Sequence, residues 1–502
     1  MLDNSNDVSA RKAAELKTER GFLGHPRAVG TLSWLDLCNA FSNYGMSSIL
    51  VYYLYTQAPA GLGLNQTEAA QLVTLYFACA TLCGLVGSYV ADRVLGPRRA
   101  VGLSRIIATL GYIVLAVPAL GVAGYALSQV LLCVAGMCCG RSVDTLTRKM
   151  YDAGDERCDA AFGIRYVINN VGAMVPALSG AIALAAGYSA AFAVGAAISA
   201  AGTVVYFLTQ KSFFGPIGLE PDDPMPTNQV RSYVTKLAAA VLTILALVAI
   251  LLASDVVSIS TFVTLASAVA VIVPVFFFGH VIRSEKCSPA ESRAVKYLIP
   301  LFICGSLTNV VFMQASGVLA IYAETSIDRH ILGVEVSPAT FTTFGAFFCI
   351  IFGSVFTAVW TSRSKQPSAA AKLAFGSIIY SAAALLICVP FFLYPEGSVV
   401  SPLWLIGFWF LSMFGEAIAA PVGFSLAAKV APVAFSTQLI MVWALQASVG
   451  SGFSAILANF YQKGTEGWYF LILGGVSVAA CCVVLAFSNK IERGLGLADV
   501  EK

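Results

Sequence analysis

Charged residues are scarce in this chain: Asp, Glu, Lys and Arg make up 11% of its 502 residues, whereas hydrophobic residues make up 58%. A soluble domain usually carries about 25% charged residues, so this composition excludes an ordinary soluble protein. The net charge of +3 is small and gives no reason to expect nucleic acid as a partner. The composition indicates a protein whose principal environment is the lipid bilayer.

Other residue types and motifs that the chain lacks narrow the range of possible functions further. The chain has only three histidines, and it has no cluster with metal-ligand spacing, no phosphate-binding loop and no G-x-G-x-x-G or G-x-S-x-G motif. We therefore expect no metal, no cofactor and no enzymatic activity. Of the thirteen cysteines, only Cys158 and Cys287 fall outside the apolar segments, both in loops on the inner side. A disulfide framework on the outer side is therefore not expected.

Long apolar runs recur along the whole chain, each close to the ~20 residues that cross the hydrocarbon core. The sequence predicts fourteen spans, at about 31–54, 68–91, 98–118, 121–147, 160–184, 186–208, 232–254, 257–282, 295–323, 337–361, 371–394, 401–429, 434–460 and 466–488. If the N-terminus is cytoplasmic, Arg329 and Lys463 are the only basic residues in outer loops. This asymmetry predicts that both termini are cytoplasmic, in an all-α polytopic membrane protein.

Polar segments divide the chain. We expect a cytoplasmic N-terminal segment at 1–30, a six-helix bundle at 31–208, a Pro-rich cytoplasmic linker at 209–231, a two-helix hairpin at 232–282 joined near Ser254-Asp255, a second six-helix bundle at 295–488 and a cytoplasmic tail at 489–502. Apart from Lys236 near its start and Asp255 at its joint, the hairpin contains no acidic residue, lysine or arginine, which favours packing on the outside of the bundles. This 6+2+6 plan is typical of two pseudo-symmetric bundles that bind a substrate between them near the midplane.

Glu416 lies in the middle of a predicted span, and few other charged residues lie at such depth: Asp36, Arg141, Asp144 and Arg165. A charge at bilayer depth is costly and usually faces a partner or a cavity, so these residues indicate a polar pathway and hence a transporter.

The first span carries a stripe of polar residues at i, i+3, i+7 and i+11: Asp36, Asn39, Asn43 and Ser47. These positions share one helical face. The stripe either lines a cavity or holds two helices together. We favour cavity lining because Asp36 adds a charge that helix contact does not need.

Four stretches resemble one family. The segment GSYVADRVLGPRRAV after span two is similar to the loop signature of the major facilitator superfamily. VGSYVADRVLG, FGIRYVINNVGA, MFGEAIAAPVGFSLAAKVAP and FSNYGMSSILVYYL resemble motifs of its proton-coupled oligopeptide transporters, in their bacterial form. The resemblance extends over nearly the whole chain. It implies the major facilitator fold and, for Asp92 and Arg93, a structural or gating role.

The resemblance also implies roles for individual residues. Glu416 would bind a substrate's amino group with help from Asn170, and Arg141 stands where the family has a substrate-binding lysine. Further substrate-contacting positions are Asn43, Tyr44, Thr81, Gln314 and Trp443.

The span-one motif of the family, E-x-x-E-R, is degenerate in this chain. Asp36 is its one remaining acid, and Asn39 and Ala40 replace the second acid and the arginine. In span seven, Met313 replaces another acid. Asp36 is therefore the candidate for proton coupling.

Alternatives remain for three of these residues. Glu416 could instead be a protonated side chain that joins two helices. Arg141 could form an ion pair with Asp144 or Asp36 instead of binding a carboxylate. Between Asp144 and Arg165 we expect a structural or gating ion pair.

The sequence thus predicts a monomeric secondary transporter of small peptides or peptide-like zwitterions, multi-pass in a bacterial cell membrane and working by alternating access, with protons as possible co-substrates. The alternative is a member of the same family that moves a non-peptide amine or metabolite with weak or no proton coupling. A membrane sensor on a transporter fold is disfavoured, because buried Glu416, Asn170 and Arg141 would then lack a purpose.

Overall fold

The computed structural model describes residues 11–152, 154–253, 258–331, 333–362, 366–432 and 435–496, which are predominantly helical. The helices are α1 Arg27–Tyr55, α2 Gln66–Val90, α3 Pro97–Leu115, α4 Gly121–Cys139, α5 Ser142–Lys149, α6 Arg157–Ala173, α7 Pro176–Ala186, α8 Tyr188–Phe214, α9 Thr227–Ala253, α10 Ile259–Arg283, α11 Pro289–Met313, α12 Val318–Thr325, α13 Thr343–Ser362, α14 Ala369–Leu393, α15 Leu403–Val430, α16 Ser436–Ala444, α17 Gln446–Leu457, α18 Glu466–Ala486 and α19 Ser488–Gly494. Strands β1 His330–Ile331 and β2 Val334–Glu335 pair antiparallel.

Twelve helical stretches in the described residues are long and apolar enough to cross a membrane. They are Gln66–Leu95, Pro118–Lys149, Arg157–Ala186, Tyr188–Phe214, Thr227–Leu247, Ile259–Arg283, Pro289–Ser316, Pro338–Trp360, Ala369–Leu393, Leu403–Val430, Leu439–Phe460 and Glu466–Ala486. The remaining two predicted spans coincide with α1 and α3, which are helical but more polar. Fourteen crossings, the orientation of the termini and the domain bounds therefore stay predictions.

Several predicted spans are interrupted helices. The fourth breaks at Gly140, which has φ 49° and separates α4 from α5. The fifth breaks before Pro176, the first residue of α7. The expected joint at Ser254-Asp255, residues 1–10 of the expected N-terminal segment and residues 497–502 of the expected tail lie outside the described residues.

The first of two compact units comprises Met1–Ile49 and Leu82–Val257. Close helix contact in this unit depends on glycine, for example at Gly87. A Cβ at Gly87 would lie 2.0 Å from the carbonyl oxygen of Gly136, so α2 and α4 meet backbone to backbone. The apolar core at this position includes Leu32, Leu146 and Tyr206, which are fully buried.

The second compact unit comprises Leu50–Thr81 and Ser258–Lys502. Helices α14 and α15 touch at Gly376 and Gly415. A Cβ on Gly415 would lie 2.4 Å from the carbonyl oxygen of Gly376. Such contacts let α15, which carries Glu416, lie close to its neighbour, as small residues commonly do in membrane bundles.

In the first unit, His25 lies just before α1 and holds the start of that helix in contact with Tyr151. Its Nδ1 lies 2.7 Å from the hydroxyl of Tyr151, and the side chain is buried. Arg157 covers the Tyr151 ring and pairs with Asp155 at 2.7 Å. Burial, followed by the charge of Arg157, lowers the pKa of His25, although Asp155 opposes the shift. His25 therefore has to be neutral for this packing.

We expect Gly415→Ala to destabilise the protein. The added methyl group has no space, and overpacking of this kind typically costs about 1–3 kcal/mol of unfolding free energy. The melting temperature of the detergent-purified variant measures the loss. Gly475→Ala is the matched control, because a Cβ there meets nothing within 4 Å. Equal melting temperatures for the two variants would contradict the packing argument.

We also expect stability to fall below about pH 6.5, the ordinary pKa of histidine. Because the pKa of His25 is lowered in the folded chain, the unfolded chain binds the proton first. The stabilisation is complete above that pH and is lost as the pH decreases through it. Thermal unfolding between pH 7.5 and 5.5 should show a shallower pH dependence for His25→Gln than for the parent and for His330→Gln. Identical profiles would refute the role of His25.

Candidate functional site

Arg165, on α6, is the centre of a charged cluster in the first unit. Its Nε lies 2.7 Å from Asp36 Oδ2, and its Nη1 lies 3.1 Å from Asp144 Oδ1. Nη1 also donates to the hydroxyl of Thr147 at 2.8 Å. The expected pair of Asp144 with Arg165 is therefore present. The sequence missed Arg165 as the partner of Asp36 and considered Arg141 instead.

Arg141 lies at the helix break and not within a continuous span. It precedes α5, and its backbone N–H donates to Ser88 Oγ at 3.3 Å. Its Nη1 is 3.4 Å from Asp144 Oδ2, while 68% of the side chain remains exposed. The contact with Asp144 that the sequence left open as an alternative is thus present.

A cavity of about 180 Å³ lies beside this cluster, lined by Leu35, Asp36, Asn39, Gly84, Ser104, Arg105, Gly136, Cys139, Gly140 and Val143. Two members of the span-one stripe, Asp36 and Asn39, thus line a cavity as expected. Arg105 was not among the candidate residues. Its position eight residues beyond the start of α3, deeper than Arg98 and Arg99, is the signal that could have identified it.

The other first-unit candidates are spread along α1 and α6. Asn43 is partly exposed and Tyr44 is 40% exposed. Ser47 is buried and donates its hydroxyl to the carbonyl of Tyr44 at 3.3 Å. Asn170 is buried, and its Nδ2 donates to the carbonyl of Tyr166 at 3.0 Å. Ser47 thus uses its hydroxyl inside its own helix, whereas Asn170 keeps its carbonyl oxygen as an acceptor.

A separate cavity in the second unit, of about 200 Å³, contains Glu416. Its lining residues are Gly305, Thr308, Asn309, Phe312, Leu373, Ser377, Tyr380, Glu416, Ala419, Ala420, Gly423, Phe424, Trp443 and Gln446. Trp443 is buried, and its indole packs where a Cβ on Gly423 would otherwise be, 2.7 Å away. The prediction that Glu416 and Trp443 lie at one site agrees with this geometry.

Glu416 has no cation within 4.0 Å among the residues that the structure describes. In the same part of the chain, the hydroxyl of Tyr380 and Nε2 of Gln446 are buried without a hydrogen-bond partner. At this apolar-walled cavity, the carboxylate of Glu416 and the hydroxyl of Tyr380 can accept from the N–H donors of a cationic ligand, whereas Nε2 of Gln446 can only donate to an acceptor of the ligand.

Two second-unit candidates use their polar atoms within the protein. Gln314 is 1% exposed; its Nε2 donates to Val310 and Ser454, and its Oε1 accepts from Tyr469 at 2.7 Å. Thr81 donates its hydroxyl to the carbonyl of Phe77 at 3.0 Å. In this conformation Gln314 is a packing residue, so we leave it out of the proposed site.

Asp92 and Arg93 bind the linker. Arg93 forms an ion pair with Asp223, and its carbonyl accepts from the backbone N–H of Met225 at 2.9 Å. The carbonyl of Asp92 accepts from the N–H of Asp223 at 3.1 Å. Lys149 pairs with the adjacent Asp222. The linker is therefore attached to the loop that follows α2, which agrees with the structural role implied for Asp92 and Arg93.

Apolar helices that contain buried charges and polar cavities define a polytopic membrane protein of the transporter class. The model of the POT family matches residues 98–472, and the chain belongs to that family. It is 30% identical to the uncharacterized transporter YclF of Bacillus subtilis (95% of this chain, 96% of that protein). It is 29% identical to a di-/tripeptide transporter of Lactococcus lactis subsp. cremoris (96% and 98%).

Solved structures agree with this assignment. A crystal structure of a peptide transporter POT in complex with sulfate superposes with a TM-score of 0.92 at 32% identity, covering 97% of this chain and 99% of that one. The chain is therefore a multi-pass transporter of the cell membrane.

Proposed function

We propose that this protein carries small peptides, or zwitterions that resemble them, across the cell membrane by alternating access. Membership of the POT family and the similarity to a named di-/tripeptide transporter support this substrate class. The proposal includes fourteen membrane crossings in a 6+2+6 arrangement, with both termini cytoplasmic and protons as the candidate co-substrate.

The observation that carries the proposal is the carboxylate of Glu416, which lines its cavity and has no cation within 4.0 Å in the part of the chain that the structure describes. A buried charge without a partner is strongly unfavourable, so its retention favours a ligand that supplies the opposite charge. A peptide's terminal ammonium supplies that charge together with three N–H donors. Tyr380 and Gln446 border the same cavity and provide further polar contacts.

The first unit offers a positive charge, which favours the carboxylate of a substrate. Arg141 keeps most of its guanidinium exposed, and a planar fork of donors matches a carboxylate. Asn170 is the amide expected to assist in binding the amino group. A zwitterion therefore fits the residual charges of the protein better than a simple cation or anion does.

The alternative substrate, a non-peptide amine or metabolite, is not favoured by the relatives whose names state a substrate. It would require only the Glu416 cavity.

We expect Glu416→Gln to abolish or strongly weaken dipeptide binding. Removing one partner of a desolvated charge pair typically costs ~2–5 kcal/mol. Isothermal titration of the purified protein with alanyl-alanine measures the change. Glu396→Gln, in an exposed loop of the same unit, is the control and should bind like the parent. Unchanged affinity in a folded Glu416→Gln variant would eliminate Glu416 as the ammonium partner.

We predict weak or absent proton-driven accumulation. A coupling carboxylate has to gain and lose a proton during transport, whereas Asp36 lies 2.7 Å from Arg165, which keeps its charge. The measurement is uptake of labelled dipeptide into proteoliposomes with and without an inward proton gradient, for the parent and for Asp36→Asn.

Both proteins should equilibrate the peptide without concentrating it strongly. Robust accumulation in the parent that disappears in Asp36→Asn would overturn the prediction and establish Asp36 as the proton site.

A further inference from the structure

We propose that Arg105 is the residue of the first unit that binds the substrate's carboxylate. The inference rests on the proposed function and adds a specificity-determining residue to it. Four observations carry it: the unused donors of Arg105, the charge balance of its surroundings, the space beside it and its depth along the helix bundle.

Arg105 has donors left after its contacts within the protein are counted. Its Nη1 donates to Asn39 Oδ1, and its Nη2 lies 3.3 Å from Ser104 Oγ. Its Nε is buried and has no acceptor among the described residues. No carboxylate in that part of the chain lies within 4.0 Å of the guanidinium. Nη1 and Nη2 each carry two N–H groups and contact one acceptor apiece among the described residues, so the guanidinium retains donors for a carboxylate.

The charges around Arg105 do not balance. The cluster holds three arginines, Arg105, Arg141 and Arg165, against two acids, Asp36 and Asp144. Both acids contact Arg165, and Asp144 also contacts Arg141. One positive charge is left over at Arg105. Because an uncompensated charge inside a membrane protein is costly, this surplus favours an anionic ligand.

There is space for such a ligand. The cavity of about 180 Å³ that Arg105 lines has Gly84, Gly136 and Gly140 in its wall. A Cβ at Gly84 would meet nothing within 4 Å, so this part of the wall borders open space.

The position of Arg105 along the helices is also suitable for contact with a substrate. Arg105 contacts Asn39, which lies twelve residues after the first residue of α1, a helix of 29 residues. At 1.5 Å per residue this is about 18 Å along the helix, near its middle.

Arg141 is the less suitable cation for this role. It contacts Asp144 at 3.4 Å, so part of its charge is already compensated. Arg105 has only the neutral groups of Asn39 and Ser104 as side-chain partners among the described residues. The carboxylate should therefore gain more from Arg105.

The test compares three probes on purified parent protein and variants: alanyl-alanine, alanyl-alaninamide and inorganic sulfate. Loss of one charge-assisted interaction corresponds to a roughly tenfold to hundredfold weaker affinity. We expect Arg105→Gln to weaken alanyl-alanine binding by that factor and to leave the weaker binding of the amide unchanged. Arg105→Lys, which keeps the charge but not the fork, should be intermediate. Arg99→Gln, an exposed arginine on the same helix, is the matched control and should behave like the parent.

The selectivity between acid and amide separates a binding role from a structural one. A structural role for Arg105 would weaken both peptides equally, and that result would overturn the inference. Loss of selectivity in Arg141→Gln with full retention in Arg105→Gln would also overturn it. If the parent binds neither peptide but sulfate raises its melting temperature only when Arg105 is present, the peptide function fails while the anion site stands. If no probe shows a dependence on Arg105, the inference fails.

Discussion

The pair between Arg165 and Asp36, with Nε and Oδ2 2.7 Å apart, shows the constraint that shapes this molecule. A charge at membrane depth has to be compensated within the protein or by a ligand. Arg165 is compensated twice, by Asp36 and by Asp144, and Thr147 takes a further donor. This arrangement fixes α1, α5 and α6 relative to one another. The remaining charges are informative because they are not compensated in the same way.

The two compact units differ in the charge that they leave over. The charged cluster of the first unit holds three arginines against two acids, and the second unit has the carboxylate of Glu416 in a cavity without a cation in the described residues. Neither feature stabilises the fold, since a buried unpaired charge costs free energy. The residual charge is therefore positive beside the cavity of the first unit and negative in the cavity of the second.

Residues whose role depends on type and depth were predictable from the sequence, whereas their partners were not. Glu416 and Asp36 were identified because a carboxylate is rare in an apolar run, and both line cavities. The partner of Asp36 could not be deduced, since Arg165 is 129 residues away and only the packing of α6 against α1 brings it close. Arg105 was missed because it follows Arg98 and Arg99 closely in the sequence, and arginines that flank a span usually reflect the positive-inside rule. The helix breaks at Gly140 and Pro176 were not predicted, because both residues lie within continuous apolar runs of the sequence.

The choice of arginine at all three cationic positions separates charge recognition from proton transfer. Arginine remains protonated inside proteins, whereas a lysine can lose its proton when it is buried. The family has a lysine at the position where this chain has Arg141. Such a lysine could act as a carboxylate ligand and could also release a proton. With arginine at residues 105, 141 and 165, only Asp36 and Asp144 can exchange protons in this cluster. Both already contact Arg165, so each protonation step has to break an existing ion pair. Fixed cations of this kind favour constant recognition of a carboxylate and leave little freedom for proton exchange.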